Sequence, residues 1–415
     1  MVPTLRKAFN ESFTRERYDK LMADLDSKYP GAIEFRVAES PVFIPQDFSA
    51  KLTSICEHLV DLILEPGFKT WTDRAIPAGD RVANENDHPH FLAFDFGICE
   101  DGKGGYEPQL IEMQGFASLY GFQVYYPETL HRHFSIPGHY SQFLNGHDKK
   151  SYLSLLRDVI VADCPVEEVI LLEIKPHQQK TRIDFYCTRD YLGIQPVCLT
   201  ELIREGRRLY YINEKSGKKT RVSRIYNRVI FDELNTAVAG TAAATAAPAA
   251  AGSGAAPAPP YVDIRQDLDV QWVAHPNWFY RVSKFALPFI RHPYAPAAFF
   301  LNELKQPPPD LENYVLKPLF SFAGRGVVID PQLSDLHVKD PENWILQRKV
   351  KYADLIPTPD VPAKAEIRMM YLWKDGAPRP TLAINLARLS KGKMIGVSFN
   401  KDKEWVGGSV GFFER

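Results

Sequence analysis

The chain has 415 residues, 45% hydrophobic and 24% charged, a globular composition with room for two or three folding units. Lys and Arg number 50 against 51 Asp and Glu, a net charge of -1, so the global basic field that drives nonspecific nucleic-acid binding is absent and a dedicated DNA or RNA binder is disfavoured. No stretch approaches the roughly 18 uninterrupted apolar residues of a spanning helix, and the N-terminus lacks an apolar signal core, so a soluble, cytoplasmic protein with no membrane partner is expected.

In chain order, residues 1–90 are expected to be mainly helical, with amphipathic spacing in ERYDKLMADLDSKY and SAKLTSICEHLVDLILE. Residues 91–150 open with apolar–polar alternation on either side of DGKGG, which predicts a β-hairpin. Residues 151–235 read as an α/β unit: strand VILLEI, a helical stretch over 178–192, strand IQPVCL, then a β-rich run ending RVIFDEL. Residues 236–260 are rich in Ala and Pro and carry no charge, a composition that reads as a flexible linker or long surface loop. In 261–415, WFYRVSKFALPFI reads as helix, and YVLKP, GVVID, WILQRKV, EIRMMYLW and TLAINLARL read as strands. The five cysteines, Cys56, Cys99, Cys164, Cys187 and Cys198, form an odd set without a CxxC pair, so reduced and mostly buried thiols are expected.

Three constellations can carry chemistry. In YVLKPLFSFAGRGVVID, a strand delivers Lys317 beside a loop with Ser321, Gly324 and Gly326; glycines let backbone amides approach a phosphate and the lysine offsets its charge. A plain hairpin with a glycine turn is the competing reading. In FLAFDFGICEDGKGGYEPQLIEMQG, folding about residue 103 or 104 sets Asp95 opposite Glu112, with Gln114 on the same face. Two carboxylates and an amide oxygen make a hard-oxygen set suited to Mg2+; alternatively one carboxylate points to solvent. Third, Gln347, Arg368 and Arg388 sit in apolar strands, where a guanidinium needs a partner: a phosphate, or a neighbouring acid such as Glu366. The pairs His88/His90 and His131/His133 have ligand-like spacing without a third partner, and no GxSxG or HExxH motif occurs.

Together these segments resemble the ATP-grasp superfamily in its circularly permuted form, the glutathionylspermidine synthase-like and type 2 permuted proteins, over roughly residues 90 to 410. FDF and IEMQ stand where those families place magnesium ligands, HPNWFYRVSKFALPF matches the segment of a first nucleotide-binding lysine, Lys284, and YVLKPLFSFAGRGV matches a second, Lys317, with its glycine-rich flap. ILQRKV, with Gln347, Arg348, Lys349 and Val350, resembles the strand that holds adenine, and Arg368 and Arg388 match late phosphate-binding arginines. Gln114 stands where the family usually has Asn, and Ala93 where the glutathionylspermidine synthases have Arg, so their substrate is not carried over.

The resemblance implies an α+β ATP-grasp fold with permuted segment order, an α/β subdomain like the one that precedes the ATP-binding part, and a helical N-terminal region. It implies ATP and Mg2+ as cofactors, bound by Asp95, Glu112 and Gln114 (metal), by Lys284, Lys317, Ser321, Gly324, Gly326 and residues 347–350 (nucleotide), and by Arg368 and Arg388 at the transferred phosphate. The expected activity is a ligase that joins a carboxylate to an amine through an acyl phosphate, with small-molecule or peptide substrates. The alternatives are an ATP-binding module that acts as sensor or scaffold, and a phosphoryl transferase on the same fold.

Overall fold

A computed structural model of the chain describes residues 2–231, 234–235, 261–320, 326–392, 395 and 400–415; the linker expected over 236–260 lies outside the described residues. The fold is α+β. Helices Pro3–Ser12, Arg15–Lys28 and Gln46–Leu64 open the chain, the second capped by the Thr14 side chain, which accepts from Arg17 N at 3.2 Å.

At the centre is a five-stranded antiparallel sheet in the spatial order Gly407–Ser409, Thr381–Ser390, Lys364–Leu372, Phe91–Glu100, Tyr106–Gln114. Its middle strands read as continuous apolar runs because both faces are covered, and Phe91–Cys99 is buried throughout. One face, with Phe94, Phe96, Ile367 and Met369, shares a core with Phe48, Leu52, Ile55 and Leu59 of the long helix. The opposite face carries Phe91, Met370 and Leu372, which share a second core with Tyr152, Leu156, Val169 and Tyr226 of the α/β unit.

That unit is a four-stranded parallel sheet in the order Gln271–Val273, Arg224–Asn227, Val169–Glu173, Gln195–Cys198, with helices Lys149–Ile160 and Arg182–Leu192. Residues 278–290, expected as one helix, instead form an α-helix Pro276–Arg281 and a 3-10 helix Lys284–Phe289. The break falls at Ser283, which is extended (φ -150°) and caps the second piece by accepting from Phe285 N. Pro288, which has no amide hydrogen, also disfavours a continuous α-helix.

A second antiparallel sheet, Ala298–Phe300, Trp344–Arg348, Tyr314–Pro318, Val328–Ile329, has a small core of its own around Tyr314, Leu316 and Leu346. Strand alternation therefore puts Lys317 and Gln347 on its other face. That face meets the central hairpin at an irregularity. Phe96 pairs with Leu110 and Asp95 with Glu112, leaving Ile111 unmatched as a β-bulge. The bulge turns backbone groups out of the ladder: Leu110 N donates to Tyr294 O at 2.8 Å, and Ile111 O accepts from Lys317 Nζ at 3.3 Å.

Candidate active site

Asp95, Glu112, Glu366, Arg368 and Arg388 all lie on the central-sheet face that also bears Phe91 and Met370. The pairings 95–368, 95–112 and 366–388 give them one parity. Asp95, only 1% exposed, accepts at Oδ1 from Arg368 Nε (2.6 Å) and at Oδ2 from Arg368 Nη2 (2.7 Å) and Arg388 Nη2 (2.6 Å). Arg388 also meets Glu366 Oε2 at 2.8 Å, and Arg368 lies 3.9 Å from Glu112 Oε1. Glu112 Oε1 accepts from Gln114 Nε2 at 2.6 Å, and the Tyr352 hydroxyl bonds Glu366. The result is a ladder of alternating charge across four strands, ending in Tyr352 on one side and Gln114 on the other.

Burial opposes the charge on Asp95, but the two guanidinium groups overcome it and hold this carboxyl well below the usual carboxylate range. Burial also works against Arg388, yet Glu366 and Asp95 keep it charged beyond the ordinary arginine range. For Glu366 burial wins over Arg388, and its carboxyl is pushed up.

The second sheet supplies Lys317, whose ammonium donates to Gln347 Oε1 (2.5 Å) as well as to Ile111 O, and whose pKa burial draws down. Gln347 in turn donates to Leu110 O at 3.4 Å, so it positions the lysine. Lys284 Nζ donates to Pro318 O at 2.9 Å, next to Lys317 in sequence. Gly326 adopts φ +71°, and a Cβ there would stand 3.1 Å from Pro318 Cγ, so this position favours glycine on both counts. Ser321 and Gly324 lie outside the described residues. Arg348 and Lys349 engage other groups: Arg348 lies 3.6 Å from Asp310, and Lys349 pairs with Asp330 and the carbonyl of Glu312. Val350 packs with Tyr352 over Gly97, where an added Cβ would come within 2.7 Å of Tyr352 Cε1 and 3.0 Å of Val350 Cγ1.

The expected magnesium ligands converge without forming a cation seat. Both Asp95 oxygens are engaged by guanidinium donors, and Gln114 turns its amide nitrogen, a donor, toward Glu112. Among the described residues no group of three or more His, Cys, Asp or Glu is arranged to hold a metal. Hence the three-oxygen set does not fit Mg2+ in this arrangement. The histidines have other contacts: His90 Nε2 lies 2.8 Å from Asp375 Oδ1, His88 stacks on Trp373, His133 Nε2 lies 2.9 Å from Asp24, and His131 packs edge-on against Phe412. The five cysteines are free thiols, four of them buried. Among the described residues no helix is long and apolar enough to cross a membrane.

Sequence reasoning named Glu366 only as one possible arginine partner and missed Tyr352. Glu366 could have been found from parity, two residues before Arg368 in a strand buried on both faces. Tyr352 follows the last strand of the second sheet, and no spacing signals its reach to Glu366.

No protein-family model matches the chain, and no curated protein matches it. Among solved structures it is similar to a glutathione synthetase-like effector from Globodera pallida in its apo form, with a TM-score of 0.56 and 9% identity over 91% of this chain and 95% of that one. At that identity the likeness is one of fold alone, a mixed α+β architecture.

Proposed function

We propose that the protein is an ATP-dependent ligase that joins a carboxylate to an amine, built on a circularly permuted ATP-grasp fold. One observation carries this reading. Lys317 from the second sheet and Arg368 and Arg388 from the central sheet are drawn to the same two acids, Glu112 and Glu366, and Arg388 has a buried Nε with no partner among the described residues. Such a cationic group from two sheets suits a polyphosphate, whose oxygens match guanidinium donors. The order of segments, acidic hairpin first and lysine strands later, supports the permuted form.

In this reading an oxygen of the substrate carboxylate attacks the γ-phosphorus, the bond to the ADP oxygen breaks, and ADP leaves. The amine lone pair then attacks the acyl carbon, the bond to the phosphate oxygen breaks, and orthophosphate departs as the nitrogen loses a proton. The side chains position the groups and neutralise charge: Lys317 and Lys284 from the second sheet's side, Arg368 and Arg388 from the central sheet. The resemblance also implies Mg2+, for which the side chains present offer no three-oxygen seat.

The test is ADP release over a panel of acids and amines. Release should require both substrates, and Lys317→Ala should lower kcat/KM by about a hundredfold, the scale of one lost transition-state donor. Unchanged turnover in that variant would remove Lys317 from the mechanism. The Gln114 amide nitrogen turned toward Glu112 favours a second reading, a nucleotide-binding module without ligation, which tight ATP binding with no ADP release would establish. A stable phosphorylated product formed without amine would instead identify a phosphoryl transferase.

A further inference from the structure

We infer that Asp95 is a resident counter-anion occupying the phosphate seat between Arg368 and Arg388, and that it is not a cation ligand. This rests on the reading of those arginines as phosphate-binding.

The geometry is that of an anion bound in a fork. Arg368 presents Nε and Nη2 side by side to the two Asp95 oxygens at 2.6 and 2.7 Å, and Arg388 Nη2 closes on Oδ2 at 2.6 Å. A phosphate offers oxygens to the same donors in the same bidentate manner. Carboxylate and phosphate therefore compete for one set of N–H groups. A magnesium ligand would have to turn a lone pair toward a cation, whereas three of the roughly four lone-pair positions on this carboxylate are taken by positively charged donors. Arg388 is the point of entry: it is 32% exposed, shared with Glu366 at 2.8 Å, and has an unpartnered buried Nε among the described residues.

The two roles for Asp95 give opposite signs on substitution. A cation ligand helps to bind metal–nucleotide, so its loss weakens binding. A counter-anion opposes polyanion binding, so Asp95→Asn should strengthen it: the charge is gone, the asparagine amide nitrogen abuts a guanidinium donor, and the buried Arg368 and the partly exposed Arg388 are left for an incoming anion to compensate.

The experiment is calorimetric titration of inorganic pyrophosphate and ATP into the full chain, in EDTA and with Mg2+, for wild type, Asp95→Asn and Glu366→Gln. In EDTA, Asp95→Asn should bind pyrophosphate about tenfold more tightly than wild type, since buried charge is then uncompensated. The Mg2+ midpoint for ATP binding should not move, and the gain in pyrophosphate affinity is the readout that a merely structural role of Asp95 does not predict. Glu366→Gln removes the other acid on Arg388 and should tighten pyrophosphate in the same sense by a smaller factor; it also carries the test if Asp95→Asn shows no cooperative melt. Pyrophosphate bound no more tightly by the folded variants, or ATP affinity lost together with a raised Mg2+ midpoint in Asp95→Asn, would overturn the inference. If wild type binds no ATP while Asp95→Asn gains pyrophosphate, the ligase reading falls and the counter-anion stands. Ligase turnover with no pyrophosphate gain gives the reverse.

Discussion

The central antiparallel sheet and the second one, which carries Lys317, hold their charged residues in different ways. In the central sheet, the three inner strands of nine or ten residues pair along their length and are buried on both faces, and the charges neutralise one another side by side: Glu366, Arg388, Asp95, Arg368, Glu112. In the second sheet the strands have two to five residues, and Lys317 reaches its neighbour through one carbonyl and one amide side chain. The first arrangement fixes a set of donors in place at the cost of burying charge. The second places a cation through few contacts, so it can shift toward a ligand with little loss. Under the proposed function, a site that both held and released a polyanion would draw on one wall of each kind.

The largest effect that would break this contrast is in the central sheet. Asp95→Ala leaves the buried Arg368 and the partly exposed Arg388 without their shared acid and should cost about 3–5 kcal/mol in urea unfolding. A loss below about 1 kcal/mol, the size of an exposed pair, would show that the ladder is not tight. Next is the pH response of binding. Burial draws the Lys317 pKa down, whereas Arg368 and Arg388 are held above the ordinary arginine range, so rising pH should discharge the second sheet's cation alone. ATP affinity should then fall in the alkaline range below the ordinary lysine pKa of about 10.4, by the roughly 1.5–3 kcal/mol of a charged hydrogen bond. Lys317→Arg should flatten that fall; an identical decline in the variant would assign it to another group.

Gly97→Ala would drive a methyl group against Tyr352 and Val350, and overpacking of this kind costs about 1–3 kcal/mol. A thermal melt equal to wild type would mean that Tyr352 moves aside freely. Smallest in stability, Gln347→Ala removes hydrogen bonds to Lys317 and Leu110 O worth about 1 kcal/mol, but it should weaken ATP binding more than it lowers the melting temperature. The opposite ranking would make Gln347 a structural residue of the second sheet.

Part of this was legible in the residues. The symmetry of apolar alternation about DGKGG was enough to set Asp95 opposite Glu112, as the pairing shows. Strand periodicity likewise put Lys317 at the end of Tyr314–Pro318. The bonding state of Asp95 was not legible, because its arginines come from strands more than 270 residues further on, and local spacing carries no information about such partners. The helix expected through 278–290 failed for a local reason: Ser283 capped a second, tighter helix where apolar periodicity ran on. Arg348 and Lys349 shared a motif with Gln347, but the period of two and the turn after the strand sent them to Asp310 and Asp330.

The unmatched Ile111 acts as one residue of slack in the hairpin. Cutting it out would restore an unbroken ladder with Asp95 still facing Glu112, because the residues that pair on either side are already in phase. What would vanish is the oxygen on which the Lys317 ammonium rests. The acidic pair and the lysine's seat are thus separable inheritances. One is written in the residues that pair, and the other in the residue that pairs with nothing.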